Sequence, residues 1–321
     1  WRESTGENGS ANQFVRNAEN AMRECAANHF NTIMMGRIIQ KNILPTVNRK
    51  DGTNLFGELA VQYDVSLVSS TILYWKNEID AEKYRPVLSK RLDFFFYPEH
   101  LDFIKKYDRQ YKAIFTADET TGPNIPCMLE AHEALTKRLP VELPVYPYLN
   151  IHTRVYIPYV PIFFGDWYPV NRKGYGGRNP WSVGRVVAET VAQAKEVPVH
   201  IILQCFGYFK KGYAFPTPAE YRMMCRLACA NGVKGIDSHE VNNRGLSWRY
   251  NYGYHYAARG NAGELTPLWF ALGECAREVT AIGPQLLSAS PCPVPDWLKL
   301  DSPRYRSANG YYDGPQVKFY T

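Results

Sequence analysis

Apolar residues along the chain follow two spacings that alternate. Short continuous apolar runs bounded by polar or turn residues predict buried strands over 31–35, 65–73, 113–117, 144–150, 160–164, 199–203 and 232–237. Between them the apolar positions recur at i, i+3 and i+4, predicting helices over 55–63, 80–91, 98–109, 126–138, 181–195, 217–230 and 265–287. An earlier stripe through Val15, Ala18, Met22 and Cys25 predicts a helix before the first strand. Helix starts are marked by Asn179-Pro180 and by Thr217-Pro-Ala-Glu220, in which Thr and Glu stand three apart with Pro at the first helical position. Residues 92–97, Leu-Asp-Phe-Phe-Phe-Tyr, suit either a strand or a packed turn.

Strands alternating with helices every 30–45 residues or so predict parallel βαβ units and an α/β fold. A (β/α)8 TIM barrel needs eight strands. Seven are clear, and the eighth is expected either near Trp1 or at 92–97. The rival, a doubly wound sheet, lacks its GxGxxG fingerprint here. Residues 1–290 are therefore read as a barrel domain. Residues 291–321, rich in Pro and Tyr and without helical period, are read as an extension that leads into a β-domain. Trp1 in place of Met, and a strand-like Gln316–Thr321, lead us to expect that both ends are cuts through a longer protein.

Composition narrows the function classes. A chain of 321 residues with 45% hydrophobic and 21% charged residues is long enough for one barrel or two ordinary domains. The net charge of +6 is spread thinly, with no run of five or six Lys/Arg, so nucleic-acid binding is not expected. The same mild positive charge suits an anionic substrate without deciding for one. No apolar run reaches the roughly 18–20 residues of a membrane span. The seven cysteines form no CxxC pair, and Cys225 and Cys229 are read as buried thiols on one helix face. Seven scattered His without an early HxH argue against a metal, and no cofactor is expected.

Candidate chemistry sits where the strands end. The run 113–120 closes on Asp118 and Glu119, and the run 162–169 on Asp166, Trp167 and Tyr168. The run 200–207 passes through Gln204, and 235–240 carries Asp237, His239 and Glu240. Catalytic residues of parallel barrels gather at C-terminal strand ends. Carboxylates gathered there fit general acid–base chemistry, which needs a proton donor and a second group as nucleophile or base. Neighbouring strand residues point to opposite faces, so Asp118 and Glu119 face one point only if the strand has ended. Arg37 and Trp75 each follow a strand, and the segment 248–256, starting at Trp248, is densely aromatic. The aromatic share of 14% suits stacking on ring-shaped ligands as well as core filling. Gly174-Tyr-Gly-Gly-Arg178 lacks phosphate-loop spacing and is read as a flexible loop.

Five motifs in order carry a resemblance: Ala117-Asp-Glu-Thr120, Asp166-Trp-Tyr-Pro169, Gln204-Cys-Phe-Gly207, Phe215-Pro-Thr-Pro-Ala-Glu-Tyr-Arg-Met223 and Gly232-Val-Lys-Gly-Ile236. Over roughly residues 14–290 the chain resembles bacterial glycoside-hydrolase-like TIM barrels of the clan-A kind, and 166–236 is the most specific part. The resemblance implies hydrolysis of an oligo- or polysaccharide, with Glu119, at the fourth strand of such barrels, as general acid and Asp118 as its supporting neighbour. For the second carboxylate, Asp166 is preferred, then Glu240, then Asp237. Trp167, Tyr168, Trp75 and Trp248 are expected to stack on sugar, and Gln204 and Arg37 to bind its hydroxyls, with His239 lining the site. Two residues depart from the pattern. Thr120 replaces a Pro, and Gln204 stands where many retaining barrel glycosidases place their nucleophilic Glu. The alternative is a barrel that binds carbohydrate, or serves structurally, without catalysis. Export to the periplasm or beyond is the expected location, although seven thiols also fit a reducing compartment. Oligomeric state is left open.

Overall fold

In the computed structural model, the described residues are 19–20, 22–34, 48, 51–71, 73, 80–117, 120, 124–151, 154–208, 211–239, 255–256 and 265–289. They cluster into two compact units. One holds the described residues up to Asp166 together with Gln193–Val199, and the other Trp167–Ala192 and those from His200 on.

The first unit is built on parallel strands, and except in β1, where Thr32 and Met34 are exposed, their apolar runs are largely covered. Strands β1 (Thr32–Met34), β2 (Ser66–Ser70), β3 (Tyr111–Phe115) and β4 (Val145–Tyr146) pair in that order, all parallel. After Pro147, β5 (Tyr148–Asn150) pairs in parallel with β6 (Phe163–Trp167), Asn150 opposite Asp166. Helix α1 (Leu55–Gln62) follows β1 and is N-capped by the Asn54 side chain. Helices α2 (Ala81–Phe95) and α3 (Pro98–Lys106) follow β2, and α4 (Ile125–Thr136) follows β3.

Residues 92–95 are thus the last turn of a helix, and the strand alternative for 92–97 is set aside. The aromatics packed around a buried histidine account for it. His100 meets Phe95 edge-on at 4.6 Å and stacks on Tyr97 at 5.6 Å, and all three are buried. Each large apolar side chain sealed in this way contributes roughly 1.5–3 kcal/mol. That exceeds any β-propensity of a Phe run.

The second unit holds α5 (Ser182–Ala194) up to Ala192 and β7 (Val199–Gln204) from His200 on. The strands β8 (Gly207–Tyr208) and, later, β10 (His255–Tyr256) make an antiparallel ribbon. Helix α6 (Pro218–Ala230) begins with the expected capping box: Thr217 accepts from Glu220 N, and the Glu220 side chain accepts from Thr217 N. Strand β9 (Gly235–His239) lies parallel to β7 in register His200–Gly235. Helix α7 (Pro267–Ser288) ends under Lys234, whose Nζ donates to the carbonyls of Leu286, Leu287 and Ala289 at 2.8–3.1 Å. The lysine of the Gly232–Ile236 motif therefore serves as a helix C-cap. Among the described residues no helix is long and apolar enough to cross a membrane.

Candidate active site

The segment that carries Asp118 and Glu119 lies outside the described residues, but both of its flanks are pinned. Ala117, buried, accepts a hydrogen bond from Tyr148 N at 2.8 Å. Thr120, also buried, shares a 3.1 Å hydroxyl contact with Tyr156 and accepts from Asn124 Nδ2 at 3.3 Å. The threonine that replaces a Pro in the family pattern thus holds the chain by hydrogen bonds. Counted among the described strands, the one that leads to this pair is the third. Just before it, Thr116 Oγ1 lies 2.7 Å from His132 Nε2, and burial pushes the His132 pKa down to about 3, so the imidazole is neutral.

Beside these residues runs an aromatic stack the sequence did not single out. The half-buried Tyr148 ring lies 4.0 Å from Phe115 and 4.8 Å from Phe164, and Tyr146 stacks on Phe164 at 5.3 Å with planes 3° apart. The Tyr-Pro-Tyr run 146–148 was the available signal, and it was read only as strand. Asp166 is the penultimate residue of β6 and is buried at 7% exposure. Its main chain continues the β5–β6 ladder, with Ile151 N donating to Asp166 O at 3.4 Å. A carboxylate placed at a parallel strand's C-terminal end sits where βα loops gather functional groups.

In the second unit, Trp167 donates its indole N–H to Ser182 Oγ at 2.8 Å, which fixes a half-buried ring at the start of α5. Tyr168 stands edge-on to Phe206 at 5.0 Å and to Tyr213 at 6.0 Å, and those two rings meet at 5.5 Å. Tyr168 therefore belongs to a three-ring cluster spanning two loops. Phe206 and Tyr213 are its members that sequence reasoning missed.

Gln204 does something other than expected. It is completely buried, and its amide is committed to backbone. Oε1 accepts from Val170 N at 2.9 Å, and Nε2 donates to the carbonyls of Val170, Phe206 and Ala214 at 2.9–3.1 Å. The expected bond to a sugar hydroxyl is corrected accordingly: Gln204 staples the loops that follow β6 and β7. A carboxylate could not replace it, because three carbonyl oxygens surround Nε2.

Asp237 is half-buried, and its Oδ1 accepts from Ser238 N at 2.7 Å. Ser238 turns toward α6, its hydroxyl 2.6 Å from that of Tyr221, so by strand alternation Asp237 faces away from that helix. His239 closes β9 opposite Gln204 in register. Glu240, Arg37, Trp75 and Trp248 lie outside the described residues. Among the described residues no cluster of three His, Cys, Asp or Glu could hold a metal ion.

The loop at Gly174–Arg178, expected to be flexible, is tied down. Val170 bridges Arg178, Arg172 N donates to Gly212 O at 2.8 Å, and Arg178 pairs through Nε with Glu220 Oε1 at 2.6 Å.

No family model matches the sequence, and no curated protein matches it. Solved structures do. A GH5_18 variant from Bifidobacterium longum subsp. longum in complex with Manβ1-4GlcNAc superposes with TM-score 0.60 at 11% identity, over 83% of this chain and 74% of that one. A second GH5_18 variant, from Streptomyces cattleya and in complex with the same disaccharide, gives 0.58 at 10%, over 89% and 80%. The endo-β-1,4-mannanase of Thermotoga petrophila gives 0.52 at 11%, over 82% and 73%. The likeness is one of fold: the chain has an α/β architecture with parallel strands that matches structures of glycoside hydrolase family 5.

Proposed function

We propose that the protein is a glycoside hydrolase that cleaves an oligo- or polysaccharide by carboxylate acid/base chemistry on a (β/α)8 barrel formed by residues 1–290, with 291–321 as an extension. The observation that carries this reading is Asp166, a buried carboxylate at a strand's C-terminal end, followed by Trp167 and Tyr168, in a fold matching glycoside hydrolases. In this reading Glu119 protonates the leaving glycosidic oxygen, and Asp118 helps hold that proton. Asp166 attacks carbon or activates water, with Glu240 and then Asp237 as the next candidates for this second carboxylate. Trp167, Tyr168, Trp75 and Trp248 stack on sugar rings, Arg37 binds a hydroxyl, and His239 lines the site. The separation of the two carboxyl groups, about 5 Å or nearer 6.5–9.5 Å, decides between retention and inversion.

One observation favours a second reading. Gln204, at the strand end where retaining relatives place a nucleophile, is locked into backbone hydrogen bonds. A carbohydrate-binding barrel without catalysis fits that. A panel of glycans incubated with wild type, Glu119→Gln and Asp166→Asn separates the two. Hydrolysis by wild type that falls on the order of a hundredfold or more in each variant supports the first reading. Hydrolysis that survives Glu119→Gln refutes the acid assignment, and binding without cleavage in wild type selects the second reading.

A further inference from the structure

Residues 170–178, 207–208 and 211–215 together build an aromatic ledge tied by hydrogen bonds. Tyr175, 58% exposed, packs its Cβ and the near side of its ring against Gly212: a Cβ there would sit 2.3–2.8 Å from Tyr175 carbons, and Gly212 also has φ +81°. Only glycine meets both demands. The ledge is held by Asn171 N to Gly177 O at 3.0 Å, Tyr175 N to Arg172 O at 2.9 Å, and reciprocal bonds between Tyr208 and Tyr213 at 3.0 and 3.1 Å. Arg178, paired with Glu220, anchors its far end on α6. A large ring is thus kept in solvent on a frame that costs little further ordering when a ligand stacks on it.

Charge around the ring is one-sided. Arg172, Lys173 and Lys211 are all exposed, and Lys211 Nζ stands 5.4 Å over the Tyr208 ring. No Asp or Glu occurs between Trp167 and Ala188, or between His200 and Ala219. Glu220, which hydrogen-bonds to this frame, is engaged by Arg178. Among the described residues of these two loops the charged side chains are therefore basic.

We propose that this ledge is a subsite for an anionic sugar residue, its ring stacked on Tyr175 and its carboxylate or sulfate ester met by Lys173 and Lys211. The proposal rests on the carbohydrate reading above and names its substrate class: acidic polysaccharide. Carboxylated and sulfated sugars share the chemistry, and the experiment tells them apart.

Binding of wild type to immobilised polygalacturonate, chondroitin sulfate and neutral galactomannan is measured at low and at physiological salt. Tyr175→Ala, Tyr175→Phe and Lys173→Gln/Lys211→Gln are compared with it. The expected result is retention on at least one acidic polymer, weakened about tenfold or more by Tyr175→Ala and kept by Tyr175→Phe. The lysine variant is expected to lose about two- to fivefold per lysine and most of its salt sensitivity. Preference between the two acidic polymers identifies carboxylate or sulfate. Binding to galactomannan alone, or acidic binding untouched by both Tyr175→Ala and the lysine variant, overturns the subsite. Far-UV circular dichroism of each variant separates loss of the ledge from loss of fold. Glycan cleavage, read separately through Glu119→Gln, reports on the hydrolase reading. Cleavage of neutral glycans without any retention on acidic polymers would sink the subsite while leaving that reading intact.

Discussion

Replacing Gln204 by Glu puts a carboxyl group at the end of β7, and we expect it to destabilise the protein in a pH-dependent way without creating a nucleophile. Nε2 lies within 2.9–3.1 Å of three carbonyl oxygens, and the side chain has no solvent exposure. The amide shares two N–H groups among these carbonyls and a protonated Glu has one O–H, so about one net hydrogen bond is lost, or about 1 kcal/mol. An ionised Glu would face all three carbonyls unsolvated. Full burial raises a carboxyl pKa by up to about 3–5 units, and each unit costs about 1.4 kcal/mol once the pH passes the folded value. Because the folded pKa lies above the unfolded one, the variant keeps its residual stability below the unfolded pKa of about 4.3 and loses it as pH rises. At pH 7.5 the total loss is about 5 kcal/mol, comparable to the whole stability of many domains. Urea unfolding followed by circular dichroism between pH 4.5 and 8, with wild type as the background, measures this. A variant whose midpoint, relative to wild type, is the same at pH 5 and pH 8 would refute the placement of Gln204 among carbonyls.

Two further outcomes follow from buried groups. His100 is fully buried between Phe95 O at 2.8 Å and Tyr111 Oη at 3.2 Å, and burial pushes its pKa down to about 4. Its neutral form therefore contributes stability that is complete above the unfolded pKa and is lost as pH falls from about 6.5 to 4, by roughly 3 kcal/mol; His100→Gln should flatten that limb of a stability–pH profile, and an unchanged slope would refute it. At Gly57 an added Cβ would lie 2.2 Å from the Tyr107 ring, whose hydroxyl accepts from Asn54 N at 2.8 Å and donates to Glu58 Oε1 at 2.8 Å. Gly57→Ala should therefore lower stability by about 1–3 kcal/mol despite its better helix propensity, and a thermal melt at or above wild type would contradict the contact.

What could be read from the sequence was what is decided locally. The capping box at Thr217–Glu220 appeared as expected because its partners stand three residues apart. All seven expected strands are present in sheets with parallel pairing, the one at 144–150 divided at Pro147, and apart from the exposed β1 their apolar runs are largely covered. Residues 92–97 were ambiguous because an aromatic run fits a strand and a helix end equally, and a contact with His100 settles which. The task of Gln204 was not legible at all. Its partners at Val170, Phe206 and Ala214 are backbone groups, which leave no side-chain signature. The ledge at Tyr175 was hidden for a related reason: glycines at 174, 176 and 177 look like freedom until their positive φ angles are seen serving bridged turns.

Glu220 deserves a last consequence, because one carboxylate serves two masters. It closes the first turn of α6 through Thr217 and also holds Arg178 at the end of the neighbouring loop. Burial acts to raise its pKa, but the bonds from Arg178 and Thr217 outweigh that, and the net shift is downward. The group's contribution is therefore present above the ordinary carboxylate pKa and lost as pH falls below it, through the lowered value of the folded state. Acid releases the helix start and the loop in one event, so the position of the Tyr175 ledge is an acid-labile property inherited from a helix cap. Any sequence change that relocates that loop must also find α6 another way to begin.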